Sequence, residues 1–281
     1  MNITEKQLST KVGEDVCIVP IGDCHVGNVC FDRQYFEDMI NWLVKTPNTY
    51  SIGMGDYIDA VIHLDQNRYD IECVDPEFNT PEKQYEYIEK WFGKLADKDK
   101  LWFILEGNHC FEIRHRYGHE HCARWGRDLN VPFLGVQGMM RLVLSDNGGR
   151  KNEKGINHPR HSVQYDLFCH HGHGGGKSTG VVVNKIQEFA RSYDADIYCM
   201  GHSHKKSGII EGRWRINSRR SPDNKFGFSE HKVAFVNTGT FMDSFRPGIP
   251  STYAERKGLP PTVKGVVKIM LNNKGDIHLR P

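Results

Sequence analysis

The chain has no Cys-x-x-Cys pair, no internal repeat and no low-complexity tract. Nor does any apolar run approach the roughly 18 residues that cross a bilayer. Each absence removes a class of function. Without paired cysteines there is neither a zinc ribbon nor a thioredoxin-like redox motif. The eight cysteines that are present read as small buried hydrophobes in a reducing compartment, not as a disulfide framework. The opening Met1-Asn2-Ile3-Thr4-Glu5-Lys6-Gln7 is polar and lacks the apolar core of a signal peptide, so the expected location is cytoplasmic, with no membrane partner. Excess charge of one sign is missing too. Thirty-seven Lys and Arg against thirty-five Asp and Glu leave a net charge of +2, which by itself indicates neither nucleic acid nor an anionic surface. No linker divides the 281 residues, and 1–281 reads as a single domain with a substantial core.

What the chain does contain is a series of apolar runs alternating with helical patterns. Residues 16–21 read as a buried strand ending at Gly22. Asp32 is placed to cap a helix whose inner face is Tyr35, Phe36, Met39, Ile40, Leu43 and Val44, stopped before Pro47. Residues 50–54 form a second strand. Thr80-Pro81 opens a helix that turns Tyr85, Ile88, Phe92 and Leu95 inward, and residues 101–105 form a third strand. Such alternation implies parallel pairing in an α/β sheet. Further on, residues 141–145 and 163–169 read as strands joined by a polar loop with Asn147-Gly148-Gly149. A helix over 180–192 and a strand over 197–200 follow. Strands over 233–237, 263–271 and 277–279 suggest an antiparallel finish, the last pair turning at Asn272-Asn273-Lys274-Gly275. The pattern favours two sheets packed face to face with helices outside.

Five stretches, each at the end of an apolar run, carry the chemistry. They are Gly22-Asp23-Cys24-His25, Gly55-Asp56-Tyr57-Ile58-Asp59, Gly107-Asn108-His109, His170-His171-Gly172-His173 and Gly201-His202-Ser203-His204. Asp23, Asp56, Asn108, His171 and His202 are 33, 52, 63 and 31 residues apart. Each gap is long enough for a crossover and return, which takes about 30 residues. The polar residues therefore collect at one edge of the sheet, where open α/β folds bind ligands. A donor set of oxygen and imidazole without thiolate suits Mn, Fe, Zn, Co or Ni better than a structural zinc.

In this order the motifs Asp-x-His-x-Gly, Gly-Asp-x-x-Asp, Gly-Asn-His, His-Gly-His and Gly-His-x-His resemble the calcineurin-like metallophosphoesterase superfamily. The block Asn237-Thr238-Gly239-Thr240-Phe241, with Tyr253-Ala254-Glu255, resembles phosphoesterases of phage genomes. The resemblance implies an α/β fold, a four-layer αββα sandwich of two mixed sheets flanked by helices. It implies two divalent metal ions, manganese first among the candidates, and hydrolysis by a hydroxide between them. Asp23, His25 and His204 then look like ligands of one metal, Asn108, His171 and His202 like ligands of the other, and Asp56 like the bridge. His171, followed by Gly172, fits the family position better than His170 or His173. Asp59 looks like support for a ligand, and His109 like the group that steadies developing charge or protonates the leaving oxygen. One departure stands out: Cys110 follows Gly-Asn-His where many members carry an acidic residue.

Substrate signals are weaker. The run from His173 to Gly180 lacks Walker spacing, because position 171 is His. It remains a Gly-rich turn before a helix, a place where Lys177 and backbone amides can hold an anion, or a simple connection. Arg114 sits among the basic residues after Gly-Asn-His, as a phosphate contact or as part of a solvated helix face. Residues 205–232 hold eight Lys or Arg against three acidic residues, with Trp214, Phe226 and Phe228 interleaved. Arg213, Arg215, Arg219 and Arg220 are expected to hold an extended polyanion, with a solvated loop as the alternative. The segment 64–79 is a candidate lid. The reading is a phosphodiesterase or nuclease acting on nucleic acid or nucleotides. The alternative is a phosphomonoesterase of protein or small-molecule phosphate, and a non-catalytic scaffold is the third possibility.

Overall fold

The computed structural model describes residues 1–60, 69–146, 150–151, 157–158, 162–216, 228–245, 248 and 252–281. Strands β1 (Asn2–Thr10) and β2 (Val16–Gly22) open the chain, followed by α1 (Arg33–Lys45) and β3 (Thr49–Gly55). Helix α2 (Pro81–Ala96), β4 (Leu101–Ile104), α3 (Asn108–Tyr117) and α4 (His121–Asp128) come next. Then follow β5 (Gln137–Asp146), the short β6 (Arg150–Lys151) and β7 (Asn157–His158), β8 (Ser162–His170), α5 (Thr179–Phe189) and β9 (Ile197–Met200). The last elements are β10 (Lys206–Ile216), β11 (Phe228–Thr240), α6 (Tyr253–Arg256), β12 (Gly265–Val266), β13 (Lys268–Leu271) and β14 (Ile277–Arg280).

Local chemistry sets the helix ends. The Asp32 carboxylate accepts from the Tyr35 amide at 3.0 Å and starts α1, whose buried Phe36, Met39, Ile40 and Leu43 recur at helical spacing. Thr80 caps α2, with Pro81 in the first turn, where no amide donor is needed.

Two mixed sheets result. One runs β1-β5-β8-β9-β11-β10, with β12 added to β11; the other runs β14-β13-β2-β3-β4. β2, β3 and β4 are parallel, as are β8, β9 and β11, while β13 and β10 run antiparallel to their neighbours. The period-two alternation of β2 shows how the layers stack. Val16 and Ile18 enter the core between the sheets, alongside Leu142, Leu167 and Val236. Cys17, Val19 and Ile21 enter a second core with Phe36, Ile40, Ile88 and Phe92 of α1 and α2. A third core joins Phe168, Tyr198 and Phe235 of the other sheet to Val182 and Ile186 of α5. Helices, sheet, sheet and helix make the expected four-layer αββα sandwich.

The structure also corrects the sequence reading. β1 was hidden in the polar opening: an edge strand needs only every second residue to face the protein, and β1 pairs parallel with β5 from Asn2 to Thr10. The charged segment read as a loop is a β-hairpin, with β10 and β11 paired from Lys206↔Thr238 to Ile216↔Phe228. Basic side chains on β10 suit an edge strand, where charge discourages further pairing. The helix expected over 180–192 starts at Thr179 and stops at Phe189, and 263–271 splits into β12 and β13. The loop at 147–149, Arg219, Arg220 and the first part of the candidate lid, 64–68, lie outside the described residues.

Candidate metal centre

The motif residues collect where strands of both sheets end. Asp23 and His25 follow β2, Asp56 follows β3, and Asn108 opens α3 after β4. His171 follows β8, and His202 and His204 follow β9. Their backbones are unusual. Asp23 (φ 49°), His25 (51°), Asp56 (48°), His202 (66°) and His204 (55°) are five of the nine non-glycine residues with positive φ among those described. Left-handed backbone at such residues costs on the order of 1–3 kcal/mol each and persists only where its surroundings fix it. Here they do. The Asp23 amide donates to the Gly55 carbonyl oxygen at 3.0 Å, and the Cys24 and His25 amides donate to the Asp56 carbonyl oxygen at 2.9 and 3.1 Å. The Asp23 carbonyl oxygen in turn accepts from the Thr240 hydroxyl at 2.8 Å.

The motif glycines follow from the same crowding. A Cβ on Gly107 would lie 2.1 Å from both the amide nitrogen and Oδ1 of Asp56, so no larger residue fits without moving that loop. Gly107→Ala is expected to destabilise the fold by about 1–3 kcal/mol, the usual cost of overpacking. It should also displace Asp56 and lower metal content. Thermal melts with metal analysis test this, and an unaltered melt with full metal content would refute the packing account.

The donor atoms converge as acceptors. His171 Nδ1 donates to the Met54 carbonyl oxygen at 2.8 Å, which leaves Nε2 with a lone pair. That lone pair faces Asn108 Oδ1 at 3.0 Å and Asp56 Oδ2 at 3.2 Å, and neither oxygen can donate. His202 Nδ1 reaches the same Asn108 oxygen at 2.8 Å. Across Asp56, His25 Nδ1 donates to Asp59 Oδ1 at 3.2 Å, so its Nε2 faces His204 Nε2 at 3.0 Å, nitrogen against nitrogen. Asp23 Oδ1 is buried beside them with no hydrogen-bond partner among the described residues. Two sets of lone pairs, Asp23–His25–His204 and Asp56–His171–His202, each lie within 4.8 Å. Facing acceptors and an orphaned buried carboxylate oxygen fit divalent cations.

The electrostatics describe the same demand. Burial pushes the Asp23 carboxyl up to about 7, with His171 opposing and Asp56 adding to the shift. Burial also opposes ionisation of Asp56, but His171 and His109 hold it well below the usual carboxylate range. His171 is raised to about 9, because Asp56 and Asp23 outweigh the cost of its burial. His202 falls to about 4 and His204 well below its ordinary value, through burial and then the neighbouring imidazoles. Without cations the cluster thus holds protons where positive charge is wanted.

His109 lies at the margin of this cluster. Its amide donates to Asp56 Oδ1 at 2.9 Å, and its Nδ1 hydrogen goes to the Asp59 carbonyl oxygen. Burial, with His25 adding to it, lowers its pKa. Cys110 turns into the core beneath α3 at 3 % exposure, so the departure after Gly-Asn-His does not face the site. Arg114, a candidate for phosphate, is instead clamped in two parallel bonds of 2.9 Å to the buried carboxylate of Glu106. Lys177 lines the cavity over the cluster. Arg213 and Arg215 do not: β10 carries position 213 about 23 Å from Lys206 at the usual strand rise, and Arg213 stacks over Phe235. The cavity, about 700 Å³, reaches from His25, Asp56 and His109 to Met242, Phe245 and Leu259. Sequence reasoning missed that far wall, since residues 241–262 follow no period.

A family model described as calcineurin-like phosphoesterase matches residues 18–206. Among curated proteins, the DNA polymerase II small subunit of Thermoplasma acidophilum is 29 % identical over 102 residues, 34 % of this chain. The match spans only 20 % of that relative's length. Two solved structures align over 94 % of this chain. One is a conserved uncharacterised protein of Streptococcus pneumoniae described as a predicted phosphoesterase, at 13 % identity, 94 % of its length and a TM-score of 0.35. The other is a single-mutant Vps29 of Entamoeba histolytica, at 12 % identity, 97 % of its length and a TM-score of 0.32.

Proposed function

This chain belongs to the calcineurin-like phosphoesterase family and is a metal-dependent phosphoester hydrolase, and from that premise we propose that it cleaves phosphodiesters of nucleotides or nucleic acid. The observation that carries the reading is the convergence of acceptor-only atoms on both sides of Asp56, at the floor of a cavity with Lys177 and Lys205 in its walls. Asp23, His25, His204 and Asp56 would hold one divalent cation, and Asp56, Asn108, His171 and His202 the other, with manganese the first choice. When bound, such a pair supplies positive charge for phosphoryl oxygens and acidifies the attacking water.

The remaining work belongs to the chain. Asp59 orients two imidazoles at once, accepting from His25 through its carboxylate and from His109 through its carbonyl. With Nδ1 committed as a donor, His109 exchanges protons only through Nε2. A bound phosphoester brings negative charge that raises its proton affinity, and the Nε2 proton then passes to the departing oxygen. The match to a DNA polymerase subunit lends the nucleic-acid direction some support, over a fifth of that protein's length.

Parallel assays on bis(p-nitrophenyl) phosphate and p-nitrophenyl phosphate, with Mn²⁺ present and after chelation, test the proposal. Faster Mn²⁺-dependent turnover of the diester is expected. Faster turnover of the monoester would replace the diester reading, and no turnover of either with any divalent metal would overturn it.

A further inference from the structure

We propose that the cavity selects a nucleotide-sized substrate, seating the base on a platform of Met242, Phe245, Leu259 and Pro260 and a second phosphate on Lys177 and Lys205. The proposal rests on the phosphodiesterase reading of the same site and narrows it to nucleoside esters with at least two phosphates.

The cavity sets the size. Its volume of about 700 Å³ lies within the roughly 300–1,000 Å³ of pockets that enclose small ligands. One end is the ligand cluster; the other is closed by the chain after β11. That far wall is a fixed platform. The Asp243 amide donates to the Cys30 carbonyl oxygen at 2.7 Å, and the Thr252 hydroxyl donates to the Ser244 carbonyl oxygen at 3.1 Å. Thr252 and Glu255 cap each other, amide to side chain in both directions, at 2.8 and 3.2 Å. Arg256 is ion-paired to Asp70, which ties the platform to the segment after β3. On this frame Met242, Phe245, Leu259 and Pro260 give the cavity an apolar face. Leu259 is 37 % exposed, an apolar side chain open to the space that a planar base would fill.

The charge sets the chemistry. Opposite the platform runs the Gly-rich turn 174–177, held by Lys185, whose Nζ donates to the carbonyl oxygens of His173 and Gly175 at 3.2 and 2.8 Å. Its last residue, Lys177, brings Nζ to 3.9 Å from where a Cβ on Gly258 would stand, so the ammonium sits against the platform. Lys205 follows His204 directly and lines the same space. Among the described residues neither lysine is in an ion pair, whereas the Arg256 guanidinium is held by Asp70. A ligand with one phosphate at the cluster, another at the lysines and a ring on the platform satisfies all three surfaces. An extended polymer would have to leave a cavity closed at its far end. The arginines of β10 offer it no path, since β10 runs away from the site.

Binding of non-hydrolysable probes to the Mn²⁺-loaded protein tests this without turnover. The wild type should bind α,β-methylene-ADP more tightly than methylenediphosphonate and more tightly than oligothymidylate. Lys177→Gln with Lys205→Gln should weaken both diphosphonate probes by about tenfold or more, the range for a lost charge-assisted contact. Phe245→Ala with Leu259→Ala should weaken α,β-methylene-ADP by about tenfold, the range for a lost stacking surface, while leaving the ring-free probe within twofold. Equal losses on both probes from the apolar pair, no loss from the lysine pair, or tighter binding of oligothymidylate would each overturn the proposal. The two readings fail separately. Selective binding without hydrolysis of either chromogen removes the activity and keeps the subsite, and diester hydrolysis without probe selectivity does the reverse.

Discussion

Asp56→Asn is expected to leave a folded chain that binds fewer than two metal equivalents and loses at least about a hundredfold in turnover. Removing mere supporting partners of metal ligands already costs 10–100-fold, and Asp56 stands nearer than that. Its Oδ2 lies 3.2 Å from His171 Nε2 and 3.9 Å from His25 Nε2, so it faces both halves of the cluster. Its Oδ1 accepts the His109 amide at 2.9 Å. A neutral amide keeps the size but offers one oxygen in place of two and none of the charge. The fold should survive, because Asp56 holds the neighbouring motif through its backbone carbonyl, which the substitution keeps. Elemental analysis beside a circular-dichroism melt checks both halves of the expectation. Two full equivalents of metal in the variant would remove Asp56 from the bridging role.

His109→Ala separates binding from chemistry. Neither set of convergent ligand atoms assigned to the two cations includes its ring, so metal content should stay near that of the wild type. Turnover should fall by about 10²–10⁴, the range for a lost acid–base group. The loss should shrink as the leaving group becomes more acidic, because p-nitrophenolate departs with little need of a proton, whereas a ribose hydroxyl needs one. Rates on a series of aryl and alkyl diesters give the slope. An equal loss across the series would assign His109 to steadying charge and not to proton transfer.

The gathering of the seven expected ligands was legible because each motif pairs a polar residue with a glycine at the end of an apolar run. The structure supplies the reason for that pairing: Gly107 touches Asp56 so closely that the two loops have one arrangement. Periodicity also exposed β2, β3, α1 and α2, since both faces of these strands and one face of each helix are buried. It did not expose β1 or the full length of β10, whose exposed faces carry little apolar signal and whose pairing depends on distant residues. Charge proved the poorer guide. Arg114 looked available in sequence, but a carboxylate eight residues back, buried only by the fold, takes it. Arg213 lies close to His204 along the chain, yet an extended strand turns nine residues into a long separation. The apolar platform was illegible for a different reason: it is irregular chain whose only order comes from what it leans on.

Because the ligands come from two sheets, neither sheet alone holds a usable set. One contributes Asp23, His25, Asp56 and Asn108; the other contributes His171, His202 and His204. Capturing the cations is then also a reading of whether the two halves have closed in register, and part of the binding free energy is free energy of assembly. A chain whose sheets have slipped by one residue turns these side chains to the wrong faces. It gathers no metal and has no hydrolytic power to misdirect, so the catalyst is switched on by the completion of its own fold.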